Sequence, residues 1–209
     1  MSRLMPLADF SDNPAFQGMT AMTVQAVLQH AQAVEVLAEQ ACDVPTREAL
    51  LDRAMGPRRK KKSSEKLRRG RRPAEGLALG AKDACGALLG TVRLWNVRLG
   101  EHGAQPLLLG PLAVEPSAKS AGIRSLLMRH AIEAARDFGH GAILLVGDAP
   151  YYARFGFSAA MTGSLSMPGP DERERFLALE LVEGWLDGAS GTLKPSGRKE
   201  KPALVARAA

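Results

Sequence analysis

The stretch from residue 107 to residue 157 constrains the fold of this chain more than any other. It begins with LLLGPLAV (107–114), a nearly continuous apolar run of the kind a strand buried on both faces requires. Gly110 and Pro111 interrupt it. Proline has no N–H to give to a sheet ladder, so the strand must bulge or lose its pairing there. A turn of small residues follows (VEPSAKSAG) and opens directly into residues 123–138. In that segment Ile123, Leu126, Leu127, His130, Ala131, Ala134 and Ala135 recur at spacings of three and four, which predicts one long amphipathic helix ended by Gly139. AILLV (142–146) then reads as a second buried strand. Strand, long helix, strand predicts a parallel crossover.

Shorter elements flank this unit. Residues 34–38 read as a first strand. Asp43 and Pro45 mark a helix start, residues 47–55 carry helical spacing, and Gly56-Pro57 ends the helix. Residues 63–69 fit a second, polar helix. Residues 77–81 and 87–99 read as strands; the longer one puts Leu89, Thr91, Arg93, Trp95 and Val97 on one face. A short helix over 150–155 and closing strands over 158–167 and 176–182 complete an α/β chain. Antiparallel pairs outside a parallel crossover make the sheet mixed.

The organisation expected is a flexible leader (1–30), one domain (31–187) and a disordered basic tail (188–209) rich in Gly, Pro, Ser and Lys. The net charge of +6 is unevenly placed: residues 58–72 hold ten Lys or Arg against one Glu. The basicity therefore belongs to a loop and a tail, not to a whole surface, and without interleaved aromatics the loop is not built to stack bases. Nucleic acid is thus not the expected partner. No apolar run reaches the length of a membrane span. Two distant cysteines, Cys42 and Cys85, read as small buried hydrophobes in a reducing compartment, with no metal-ligand partner at short spacing. The first residues contain Asp9 and Asp12 and no signal-peptide core. The protein is read as cytoplasmic, without a metal.

Two stretches carry chemistry. The small-residue turn before the long helix lets backbone approach an anion, and a helix N-terminus supplies unpaired N–H groups and partial positive charge. Further on, GDAPYYARFGF (147–157) sets two tyrosines just past the end of a buried strand. Ligands of α/β sheets gather at such strand ends, and a phenol facing the cleft can give up a proton. Tyr151 is expected to pack, and Tyr152 to face the cleft.

Together these stretches resemble the GCN5-related N-acetyltransferases, in particular the bacterial YhbS-like subgroup. The resemblance rests on Val114-Glu115-Pro116, on the loop Lys119-Ser120-Ala121-Gly122-Ile123-Arg124, and on Tyr152-Ala153-Arg154-Phe155-Gly156-Phe157, which matches Tyr-x-x-x-Gly-Phe. It covers about 150 residues. It implies a mostly antiparallel mixed sheet with a splayed parallel central strand pair, flanked by helices. It implies an acyltransferase that moves an acetyl or short acyl group from acetyl-CoA, or another acyl-CoA, to an amine acceptor. Backbone of Leu112, Ala113 and Val114 would pair with the pantetheine arm. Backbone N–H groups of Lys119, Ser120, Ala121, Gly122, Ile123 and Arg124 would hold the pyrophosphate. Tyr152 would protonate the departing thiolate, with direct attack by the amine and no covalent enzyme intermediate.

The sequence departs from the family pattern at the loop. Lys119 stands where Gln or Arg is usual, and Arg124 where Gly or Ala is usual. The Arg124 side chain either obstructs the phosphate or swings outward to pair with it. These departures leave open a degenerate member that binds acyl-CoA or a partner without catalysis. No general base stands out; Glu101, His102, Glu115 and Asp148 are the candidates. The basic stretch reads as a solvated connector beside the acceptor cleft. The sharper alternative is a landing site for an acidic partner, such as an acyl carrier protein serving as donor.

Overall fold

The computed structural model describes residues 34–100, 103–119, 121–169 and 173–200. The expected leader, Glu101, His102 and Ser120 lie outside these residues.

Strand β1 (Glu35–Ala38) leads through a short 3-10 turn into helix α1 (Val44–Met55) and then α2 (Ser63–Arg68). Strands β2 (Ala78–Lys82), β3 (Leu88–Leu99) and β4 (Leu107–Val114) follow. Helix α3 (Ile123–Asp137) crosses to β5 (Ala142–Val146), after which come α4 (Ala149–Ala153), β6 (Ser164–Ser166), β7 (Phe176–Glu180) and β8 (Ser190–Pro195). The main sheet runs β1-β2-β3-β4-β5-β7. Its β4–β5 pair is parallel and its other neighbours are antiparallel. The fold is the mixed, mostly antiparallel sheet with a splayed parallel pair that the resemblance implies.

The splay has a local cause. Along β3 the register passes from Val92 to Leu94, while their partners on β4 are Leu112 and Leu109. Gly110 and Pro111 form the expected bulge, and Trp95 Nε1 donates a hydrogen bond to the Gly110 carbonyl. Between β4 and β5 the pairing holds only at Leu107 with Ile143 and Leu108 with Leu144. Past these residues the two strands part.

Each face of the sheet has its own core. On one face α3 buries Ile123, Leu127, Met128, Ala131, Ile132 and Ala135. This stripe is turned from the expected one. His130 is exposed, and the larger Met128 and Ile132 take the inward positions because they bury more apolar area. Gly90 permits the close approach: a Cβ there would stand 2.9 Å from Leu127 Cδ1. On the other face Trp95, Leu144, Phe176, Leu165, Leu67 and Leu193 form a second core.

Several expectations are corrected. The tail is not disordered from residue 188, because β8 pairs with both β3 and β6 and buries Leu193. The end of β3, at Val97 to Leu99, offers an edge, and Leu193 to Pro195 pair along it. Residues 58–72 are not a plain solvated loop either. Arg59 reaches Glu48 and Asp52 of α1 at 2.5 and 2.7 Å, Arg68 is buried beside Glu65, and Arg71 donates to the Gly197 carbonyl. Carboxylates on α1, one helical turn apart, draw Arg59 in. Residues 158–167 hold only a bridge at Ser158, a 3-10 turn and the short β6. Cys42 and Cys85 are exposed free thiols rather than buried ones. Among the described residues no helix is long and apolar enough to cross a membrane, and no cluster of metal-ligating side chains occurs.

Candidate active site

Where β4 and β5 part, two connected grooves open. The larger, about 590 Å³, runs from Leu112, Ala113 and Val114 to Lys119 and Gly122 at the start of α3, with Tyr151 opposite. The smaller, about 230 Å³, lies between the β4 bulge, the end of β5, Tyr152 and α2. Met55, Leu112 and Arg124 border both.

The first groove is a backbone site. Leu112, Ala113 and Val114 pair with β3 along one edge. Their other edge lies beyond the last β4–β5 pair. The α3 N-terminus begins at Gly122, whose left-handed φ of 71° suits glycine and where a Cβ would meet nothing within 4 Å. The first amides of a helix have no partner within it and favour an anion. Ile123 offers only its backbone, since its side chain is buried in the core. Lys119 and Ala121 are exposed.

The second groove is a side-chain site. Tyr152 is 5% exposed, held edge-on against Tyr151 at 5.0 Å and Phe157 at 6.0 Å. Its ring fills the space over Gly147, where a Cβ would come within 2.2 Å of it. Any side chain at residue 147 would displace that ring. The hydroxyl of Tyr152 accepts a hydrogen bond from Arg124 Nη2 at 3.2 Å. The Arg124 guanidinium lies 3.9 Å from the centre of the Tyr151 ring, and Arg154 stacks on the same ring at 4.1 Å. Arg124 thus does not fill the phosphate loop. It turns back onto the two tyrosines.

The base candidates separate. Glu115 is held by Arg53 at 2.8 Å and borders neither groove. Asp148 is the N-cap residue of α4 but makes no side-chain capping bond, and its side chain is exposed on the smaller groove. Glu65, Arg68 and Lys62 also border that groove, and no pattern in the sequence marks any of the three. Burial pushes the Arg68 guanidinium below its ordinary pKa, and Glu65 opposes that shift.

A model of the Acetyltransferase (GNAT) family matches residues 44–157, more than half of the chain. The chain belongs to this family. Among curated proteins it is similar to the "Uncharacterized N-acetyltransferase YhbS" of Escherichia coli K12, with 28% identity over 118 residues, 56% of this chain and 71% of that one. Among solved structures it is similar to YhbS from Escherichia coli in complex with CoA. That match has a TM-score of 0.66 and 26% identity, covering 78% of this chain and 89% of the other. A GNAT family acetyltransferase from Brucella melitensis, in complex with acetyl-CoA, shares the fold with a TM-score of 0.58 at 22% identity, covering 79% and 97%.

Proposed function

We propose that this GNAT protein transfers an acetyl or short acyl group from acyl-CoA to an amine. The observation that carries the reading is the parting of β4 from β5, with a helix N-terminus at one end of the gap and the Tyr152 hydroxyl at the other. The CoA complex of the similar Escherichia coli protein supports the same ligand here.

In this reading the amides from Lys119 to Arg124 hold the pyrophosphate, and the free backbone edge of Leu112 to Val114 takes the pantetheine amides. The thioester then lies across the Gly110–Pro111 bulge. The amine enters from the smaller groove and attacks the thioester carbonyl directly. As the tetrahedral adduct collapses, the C–S bond breaks and Tyr152 gives its proton to the leaving sulfur. A phenol is protonated at neutral pH and suits that role. Arg124 donates to the same hydroxyl and helps to orient it. In the same reading Asp148, on the border of the smaller groove, accepts the proton that the amine loses.

Release of free thiol from acetyl-CoA with a panel of amines tests this. Tyr152→Phe keeps the ring and removes one hydroxyl, and kcat should fall by about 10²-fold with the donor KM nearly unchanged. Tyr151→Phe should cost no more than a few-fold. Equal effects of the two substitutions, or none, would remove Tyr152 from the acid role. CoA binding without thiol release from any amine would favour the degenerate, non-catalytic reading.

A further inference from the structure

We propose that the smaller groove takes a small primary amine that also bears an anionic group, a carboxylate or a phosphate, and that Arg68 and Lys62 hold that group. This rests on the acyltransfer reading above and names the class of its acceptor.

The groove is strongly cationic for its size. Arg59, Lys62, Arg68, Arg124 and Arg175 border it, against the two carboxylates of Glu65 and Asp148. The cations do not serve one purpose. Arg59 is committed to Glu48 and Asp52 on α1. Arg124 is committed to the tyrosines. Arg68 differs: it is 8% exposed, its Nη2 reaches Glu65 at 3.1 Å, and its Nε has no hydrogen-bond partner. Nη2 is taken by Glu65 and Nε is shut off from solvent, so Nη1 is the donor left for a ligand, and a guanidinium N–H suits the oxygens of a carboxylate or phosphate.

Arg68 is also fixed in place. Its neighbour Leu67 is buried in the second core and anchors α2 there. Its Nη1 stands 3.5 Å from where a Cβ on Gly110 would be, beside the bulge that receives the thioester. The anionic group would therefore sit close to the reacting carbonyl, and the acceptor must be short. The volume agrees: about 230 Å³ is below the range of about 300–1,000 Å³ typical of drug-sized ligands. Lys62, exposed at the N-cap of α2, adds charge at the rim. Burial first, and then the nearby Arg59 charge, lowers the Arg68 pKa, and a bound anion would offset that cost.

Matched acceptors test the proposal. Thiol release from acetyl-CoA is measured with O-phosphoethanolamine against ethanolamine, 5-aminopentanoate against pentylamine, and spermidine. The anionic member of each pair should show kcat/KM higher by about tenfold or more, and spermidine should be the poorest acceptor. Arg68→Gln should collapse the ratio while leaving the acetyl-CoA KM in place. Lys62→Gln, at an exposed position, should reduce the ratio even if the Arg68 variant fails to fold. Calorimetric titration of O-phosphoethanolamine into the full-length protein saturated with CoA reads the same site without turnover. Binding that depends on Arg68 and Lys62, without thiol release, would keep the anion site and sink the acyltransfer reading. Neutral amines or spermidine used as well as the anionic ones, or no binding of O-phosphoethanolamine, would overturn the proposal.

Discussion

At the scale of single residues, Arg124 changes most between sequence and structure. The family pattern placed a long side chain where backbone should meet phosphate, so that it would either obstruct the phosphate or swing outward to pair with it. In the structure it leaves the loop by stacking on Tyr151 and donating to Tyr152. A cation in the first turn of a helix opposes the helix dipole by about 0.3–1 kcal/mol. A cation–π contact returns about 0.5–1 kcal/mol, so the arrangement costs the fold little. Its consequence is chemical, because the charge lies at the proposed proton donor. Arg124→Gln should lower kcat roughly tenfold while the acetyl-CoA KM stays within about threefold. A raised KM with unchanged kcat would return the side chain to the phosphate. Tyr152 was legible in the sequence because a local strand–turn–helix pattern positions it. Arg68, Lys62 and Glu65 were not, because nothing in a run of like charges marks which member the docking of α2 will bury.

At the scale of elements, legibility followed length and apolar content. LLLGPLAV, AILLV and the α3 segment each identify themselves, since burial on both faces or on one helical stripe leaves a periodic trace. β6 and β8 leave almost none: each is short, and each buries one leucine, Leu165 and Leu193. β8 nevertheless closes one core. Leu193→Ala should cost about 2–5 kcal/mol. Thermal unfolding should show this as a fall in Tm on the order of 10 °C. Ending the chain after Gly188 should do at least as much damage, since it removes the strand pairing as well. An unchanged Tm in either case would mean that β8 is dispensable, as its composition alone implied.

At the scale of the whole molecule, acid should loosen the fold in two stages. Burial holds the His140 imidazole below its ordinary pKa of 6.5. The Asp43 carboxyl is held below its ordinary 3.8, first by its hydrogen bond from Lys82 at 2.7 Å and then by the Gln40 N–H at 2.9 Å. Both folded-state values are depressed, so the unfolded chain takes up more protons as the pH falls. Each contribution is complete above the ordinary value and is lost below it. Calorimetric Tm measured from about pH 8 to pH 3 should decline gently below about 6.5 and more steeply below about 4. Asp43→Asn should flatten the steep stage; a Tm that rises on acidification would contradict the assignment. The mixed sheet was legible from the alternation of elements. The parting of β4 and β5 was not legible from periodicity, because it depends on register between strands distant in sequence, and only the resemblance implied it. That gap is the centre of the functional account, and a crystal structure of the protein with acetyl-CoA tests it most directly. Pyrophosphate oxygens should lie within hydrogen-bond reach of the amides from Lys119 to Arg124, and the thioester sulfur within reach of the Tyr152 hydroxyl. Acetyl-CoA bound outside the gap, or a sulfur remote from Tyr152, would contradict it.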